Sequence, residues 1–134
     1  MMKRRKLMSL AAGAASAAMA QTPSGTGTAK LFFKQALPDL QMAGWAANAI
    51  EVTYKPGESS HPHQHAGYVL GYVLEGEVRF QLRGQPERIV RAGEMFYEPP
   101  GSVHQVSGNA SKTSPARLLA IIIAAADIPL TKPA

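Results

Sequence analysis

Three of the four histidines in this 134-residue chain, His61, His63 and His65, fall within five residues, and His104 follows thirty-nine residues after His65. On an extended segment alternate residues face the same side, so His63 and His65 can converge on one point with ring nitrogens free. His104 stands just after a Pro-Pro-Gly turn, at the start of another predicted strand. Three imidazoles suit a divalent transition metal and leave positions open for water or substrate. Taken alone, His61–His65 also reads as an exposed His-rich loop, and His104 as an ordinary histidine; the metal reading rests on the two halves together. The chain has no cysteine, which excludes disulfides, thiolate catalysis and Cys-based zinc or iron–sulfur sites.

The elements that must position these residues are short strands. Ala49–Lys55 alternates Ile50, Val52 and Tyr54 with Glu51 and Thr53, a half-buried strand that ends at Pro56-Gly57. Tyr68–Leu74 and Glu77–Arg83 form a hairpin around Glu75-Gly76, and Glu87–Arg91, Met95–Glu98 and Val103–Ser107 follow between turns. Arg117–Ala124 is apolar on both faces and is expected to be a central strand covered on each side. Twelve Gly, ten Pro and no convincing helix point to an all-β sandwich or small barrel. Tyr68, Tyr72, Phe96 and Tyr97 read as packing, with any inward-facing ring available to a small-molecule pocket.

The formal net charge of +5 invites a nucleic-acid reading that the distribution removes. Lys3, Arg4, Arg5 and Lys6 carry four of the fourteen basic residues, and after residue 20 ten Lys and Arg face nine Asp and Glu. No basic stripe interleaved with aromatics occurs elsewhere, so nucleic acid is not an expected partner. Residues 1–20 have the layout of an export signal. Met1–Lys6 is a positive n-region, Leu7–Ala18 an uncharged alanine-rich stretch, and Ala18-Met19-Ala20 a small-residue cleavage site before Gln21. The apolar stretch is too short for a membrane span, and Arg4-Arg5 admits either the Sec or the twin-arginine route. The expectation is a bacterial protein of the periplasm or outside the cell. Residues 21–30 read as a flexible mature N-terminus and 31–134 as one domain.

Gly57-Glu-Ser-Ser-His-Pro-His63-Gln-His65, followed by Tyr72-Val-Leu-Glu-Gly76, resembles the first motif of the cupin superfamily. Gly93-Glu-Met-Phe-Tyr-Glu-Pro99-Pro-Gly101-Ser-Val-His104 resembles the second. The resemblance implies a double-stranded β-helix, or jelly-roll barrel, with His63, His65 and His104 as metal ligands near the barrel mouth. It also implies Tyr54, Val69, Phe80 and Val106 as pocket-lining residues and pairing as a homodimer through the sheets. Two positions depart from the family pattern. Valine stands at 69, where cupins commonly carry a carboxylate ligand seven residues before the glycine of motif one, and Gly108 stands where motif two often has asparagine. His61 and Glu98 are therefore candidates for a further ligand or acid/base. For His61 the competing fate is exposure, and for Glu98 a rim salt bridge with an arginine.

A three-imidazole site lacks a ligand carboxylate's negative charge, so its metal is a stronger Lewis acid. Some cupin-like oxygenases, including diketone-cleaving and thiol dioxygenases, are similar in placing three histidines on Fe(II). The resemblance thus implies an exported, metal-binding monocupin with dioxygenase-like chemistry on a small organic molecule. The expected cofactor is iron, with manganese, nickel or zinc as alternatives. Two other readings use the same barrel: a non-catalytic periplasmic binding or sensing module, and a Mn-, Zn- or Ni-dependent isomerase or lyase. Fold analogy alone does not choose between them.

Overall fold

A computed structural model describes residues 30–37 and 41–134. The proposed export segment, residues 1–20, therefore lies outside the described residues, as do 21–29 and 38–40. Ten strands are described: β1 (Trp45–Tyr54), β2 (Ser59–Ser60), β3 (His63–His65), β4 (Tyr68–Glu75), β5 (Glu77–Leu82), β6 (Arg88–Arg91), β7 (Met95–Glu98), β8 (Val103–Asn109), β9 (Ala116–Ala125) and β10 (Thr131–Pro133). There is no helix among the described residues, and none long and apolar enough to cross a membrane.

The strands form two antiparallel sheets, one ordered β1-β9-β4-β7 and the other β10-β3-β8-β5-β6, with β2 also paired to β8. Strand alternation sends one set of side chains between the sheets. Val69 and Val73 of β4, Phe96 of β7 and Leu118, Ala120 and Ile122 of β9 come from the first sheet. Val78, Phe80 and Leu82 of β5 and Val90 of β6 come from the second. This is the expected all-β double-stranded β-helix, assembled from hairpins that the turn residues announce. Gly76 takes a φ of +76° between β4 and β5, a left-handed conformation that glycine adopts without a steric penalty.

Two sequence expectations are corrected. β9 is central in its sheet, but its second face is not covered as fully as the first: Leu118, Ala120, Ile122 and Ala124 are buried, while Leu119, Ile121 and Ile123 are half-buried. Apolar character on both faces therefore did not require two covered faces. The chain also contains strands too short and too polar to carry a period-2 signal, namely β2, β3 and the C-terminal β10. These short strands build the metal end of the barrel.

Close approach dictates glycine at several positions, among them 71 and 108. A Cβ at Gly71 would collide with the Phe96 ring, which occupies the space above β4 in the core. A Cβ at Gly108 would lie 2.6 Å from Ser59 Cβ and 2.9 Å from the Glu58 carbonyl oxygen. Glycine at 108 thus lets β2 close onto β8, and the asparagine of this segment stands at the next residue. Asn109 is buried, its side-chain amide donates to the Ser114 carbonyl (2.7 Å) and the Lys55 carbonyl (3.2 Å), and its Oδ1 accepts from Ser111 N (2.8 Å). Gly71→Ala is expected to displace Phe96 and lower stability by about 1–3 kcal/mol, measured as a fall in the urea unfolding midpoint at unchanged slope.

Candidate metal centre

β3 lies between β8 and β10, and this sandwiching assembles the site. His63 pairs directly with His104 across the β3–β8 ladder, while Thr131 and Pro133 of β10 sit opposite His65 and His63. Potential ligand atoms of His63, His65 and His104 all lie within 4.8 Å of one another. The ring centroids are 4.8 Å apart for His63–His65 and 5.0 Å for His63–His104.

Each imidazole has its Nδ1 side engaged by a different structural element. His63 Nδ1–H donates to the His61 carbonyl at 2.8 Å. His65 Nδ1–H donates to the Leu130 carbonyl at 3.1 Å, with the Thr131 hydroxyl 3.0 Å away. His104 Nδ1 lies 3.2 Å from Glu98 Oε1. The two carbonyl acceptors require a proton on Nδ1 of His63 and of His65, which leaves Nε2 of each ring to bind a metal. Among the described residues, two buried side-chain polar atoms lack a hydrogen-bond partner, and both are here: His104 Nε2 and Glu98 Oε1. Orphaned buried polar atoms are rare in native proteins and call for an explanation. A divalent cation held by the three Nε2 atoms explains both, because it takes the lone pair of His104 and balances the buried carboxylate. The residues present fit the metal.

Burial pushes the His63 imidazole below the ordinary histidine range, and proximity to His104 and His65 adds to this. The His61 carbonyl acts in the opposite direction. The neutral ring that results is the form a metal requires.

Glu98 is not at the rim. It is 2% exposed, and in the β4–β7 ladder it stands directly opposite Val69. The position where cupins commonly carry a ligand carboxylate is thus apolar, while its cross-strand partner carries a carboxylate that lines the cavity, 3.2 Å from Nδ1 of His104. His61 is exposed at the cavity mouth and contributes its carbonyl to His63; its ring is outside the three-histidine group.

A cavity of about 410 Å³ opens from the three histidines into the barrel. Of the residues expected to line it, Tyr54 does so, whereas Val69, Phe80 and Val106 do not. Val69 is packed into the core beneath it. Phe80 stacks behind the site, with its ring centroid 4.9 Å from that of His104 and 4.5 Å from that of Phe96. Val106 is out of phase because the β5–β8 ladder shifts register between the Gln81–Val106 and Leu82–His104 pairs. That irregularity leaves Ser107, not Val106, to share the cavity with His104. Of the four aromatics read as packing, only Phe96 reaches the cavity. The sequence reading missed Ser60, Ser107 and Thr131; no local pattern marks them, since strand pairing alone brings them to the site.

Fold and site together define a jelly-roll protein with a three-histidine group that could hold a metal. The family model described as Cupin domain matches residues 50–122, and the chain belongs to that family. Among solved structures it is similar to a cupin-like protein from Thermotoga maritima, at 26% identity and a TM-score of 0.58. That match covers 66% of this chain and 64% of the other. It is also similar to an oxalate oxidase in complex with the substrate analogue glycolate (28% identity, TM-score 0.53, 67% of this chain and 46% of that one). A DMSP lyase from Ruegeria pomeroyi shares the fold at 22% identity and a TM-score of 0.58, over 65% of this chain and 42% of the lyase. The chain thus spans less than two thirds of each of these three proteins. No curated protein sequence matches it significantly.

Two outcomes are expected. Glu98→Gln should weaken divalent-metal affinity by about 10–100-fold, read by competition with a chromogenic chelator, while His104→Ala removes high-affinity binding. The metal-free protein should lose stability as pH falls below about 6.5, since the unfolded chain then takes up a proton that folded His63 resists. Urea melts of the metal-free wild type and His63→Gln across pH 5–8 test this, and the variant should show the shallower dependence.

Proposed function

We propose that this cupin is an exported, metal-dependent dioxygenase-like enzyme whose substrate is a small enol, diketone or related molecule that chelates through two oxygens. The observation that carries this reading is the convergence of three imidazoles at one end of a largely apolar cavity, two of them with Nδ1 hydrogen-bonded to a backbone carbonyl and the third with Glu98 3.2 Å from its Nδ1. Bound there as iron(II), the metal would supply Lewis acidity toward an enolate and the redox capacity for dioxygen chemistry.

The chain's own residues have definite tasks in this scheme. His63, His65 and His104 hold the metal through Nε2. Glu98, 3.2 Å from Nδ1 of His104, places one negative charge beside the site. Ile50, Val52, Leu118, Ala120 and Ile122 wall the cavity with hydrocarbon, which excludes water from a reactive enolate. The charge pattern favours a neutral or singly ionised ligand over a dianion. Lys132 is the one Lys or Arg at the cavity wall, and it lies opposite Gln64, on the face of β10 turned away from His63 and His65. The export expectation stands with this proposal on residues 1–20 alone.

The likeness to an oxalate oxidase and a DMSP lyase keeps two competing readings in the test, a lyase or isomerase on the same metal and a binding module without turnover. Iron-loaded protein given pentane-2,4-dione is expected to consume oxygen in proportion to dione lost, and His63→Ala to lose both metal and oxygen uptake. Turnover without oxygen would favour a lyase or isomerase, and metal-dependent binding without product the binding module. If His63→Ala retains metal content and turnover, the three-histidine reading is wrong.

A further inference from the structure

The cavity has a second polar end that the metal centre does not use. Tyr54 Oη at the close of β1 lies 2.7 Å from Ser60 Oγ on β2 and 2.8 Å from Ser107 Oγ on β8. All three side chains line the cavity. Ser60 and Ser107 pair across the β2–β8 ladder, as His63 and His104 do across β3–β8. The two pairs are three residues apart along each chain segment, so the hydroxyl cluster lies about 7–10 Å from the histidines at a strand rise of about 3.3 Å per residue.

A proton count shows what this cluster lacks. Three hydroxyls carry three protons, and the two contacts among them use two. Among the described residues no other hydrogen bond engages any of the three oxygens, so one O–H is left without a protein acceptor. Tyr54 and Ser107 are 6% and 4% exposed and Ser60 is half-buried at the cavity wall, so the spare O–H is available to an acceptor that enters the cavity.

We propose that Tyr54, Ser60 and Ser107 form a second ligand subsite that donates one hydrogen bond to an uncharged acceptor oxygen, such as a ketone, ester or ether. Ile50, Val52, Leu118 and Ala120 line the same cavity, so the ligand's middle is aliphatic. No Lys or Arg side chain other than Lys132 borders the cavity, and Lys132 is on the β10 face turned away from His63 and His65. A carboxylate at the hydroxyl end would therefore be desolvated without a counter-ion. The substrate class this defines is an elongated molecule with a chelating head, a short aliphatic spine and a distal carbonyl or ether oxygen. This rests on the metal centre of the proposed function but not on its oxygen chemistry.

The test uses zinc-loaded protein, which is redox-silent, and two hydroxamates that differ only at the far end, heptanohydroxamic acid and 6-oxoheptanohydroxamic acid. Titration calorimetry should show the 6-oxo compound binding about three- to tenfold more tightly to the wild type, the range of one net hydrogen bond. Tyr54→Phe should reduce that preference and Tyr54→Phe/Ser107→Ala abolish it, with the affinity for heptanohydroxamic acid unchanged within about twofold. Removing mutually bonded hydroxyls at constant shape is nearly neutral for folding; thermal melts verify this, and Ser107→Ala alone replaces a double variant that does not melt cooperatively. Equal affinities in the wild type, an undiminished preference in the variants, or no binding of either compound to zinc-loaded protein would each overturn the subsite. Failure to hold zinc at all would overturn the metal centre and the subsite with it. Oxygen uptake with pentane-2,4-dione tests the reaction separately, so loss of one reading is distinguishable from loss of the other.

Discussion

An imidazole offers a metal only one nitrogen at a time, and which one it offers depends on what holds the other. That constraint organises the metal end of this barrel. Each of the three histidines is gripped at Nδ1 from a different direction: His63 by the carbonyl two residues before it, His65 by the segment leading into β10, and His104 by Glu98 on β7. The grips come from both sheets, so the ligand geometry depends on how the sheets close on one another. The C-terminal strand is part of the site for the same reason. Besides covering the edge of β3, it is anchored at both ends, with Ala66 N donating to the Leu130 carbonyl and Ala134 N to the Pro62 carbonyl, each at 3.2 Å.

The carboxylate arrangement follows from the same closure. Position 69 faces the core and carries valine, which cannot bind a metal. Directly across the ladder, Glu98 is buried with one close partner, Nδ1 of His104. A buried carboxylate with so few partners is costly in a metal-free barrel, whereas beside a divalent cation it is a counter-charge. A carboxylate beside a ligand histidine instead of at position 69 would keep the site's overall charge low and leave coordination of a metal to imidazole. The cavity in front of the metal then remains largely hydrocarbon, broken at its far end by the Tyr54 hydroxyl cluster.

Much of this was legible in the amino-acid order because it is local. Alternation of apolar residues drew β1 and β5 to within a few residues of their bounds, since side chains on a half-buried strand must alternate whatever the strand pairs with, and turn residues and an apolar run did the same for β4, β7 and β9. Val106 and Glu98 show where that logic stops. The first was expected in the pocket from the resemblance, and a register shift in the β5–β8 ladder turns it away. The second was read as a rim residue because it precedes a Pro-Pro-Gly turn, yet it is in phase with Phe96 and enters the core.

By itself, the sequence determined the all-β class, the turns and the three histidines, each set by residue type and short-range spacing. Only the tertiary structure decided which nitrogen of His63 and of His65 is free, that Glu98 stands beside His104, and that Ser60, Ser107 and Tyr54 meet at one point. These are contacts between residues up to 66 positions apart, several of them made by β2, β3 and β10, strands of two or three residues that have no periodicity to read. Their partners are chosen by register between strands, and register is a property of the closed barrel, not of any one segment.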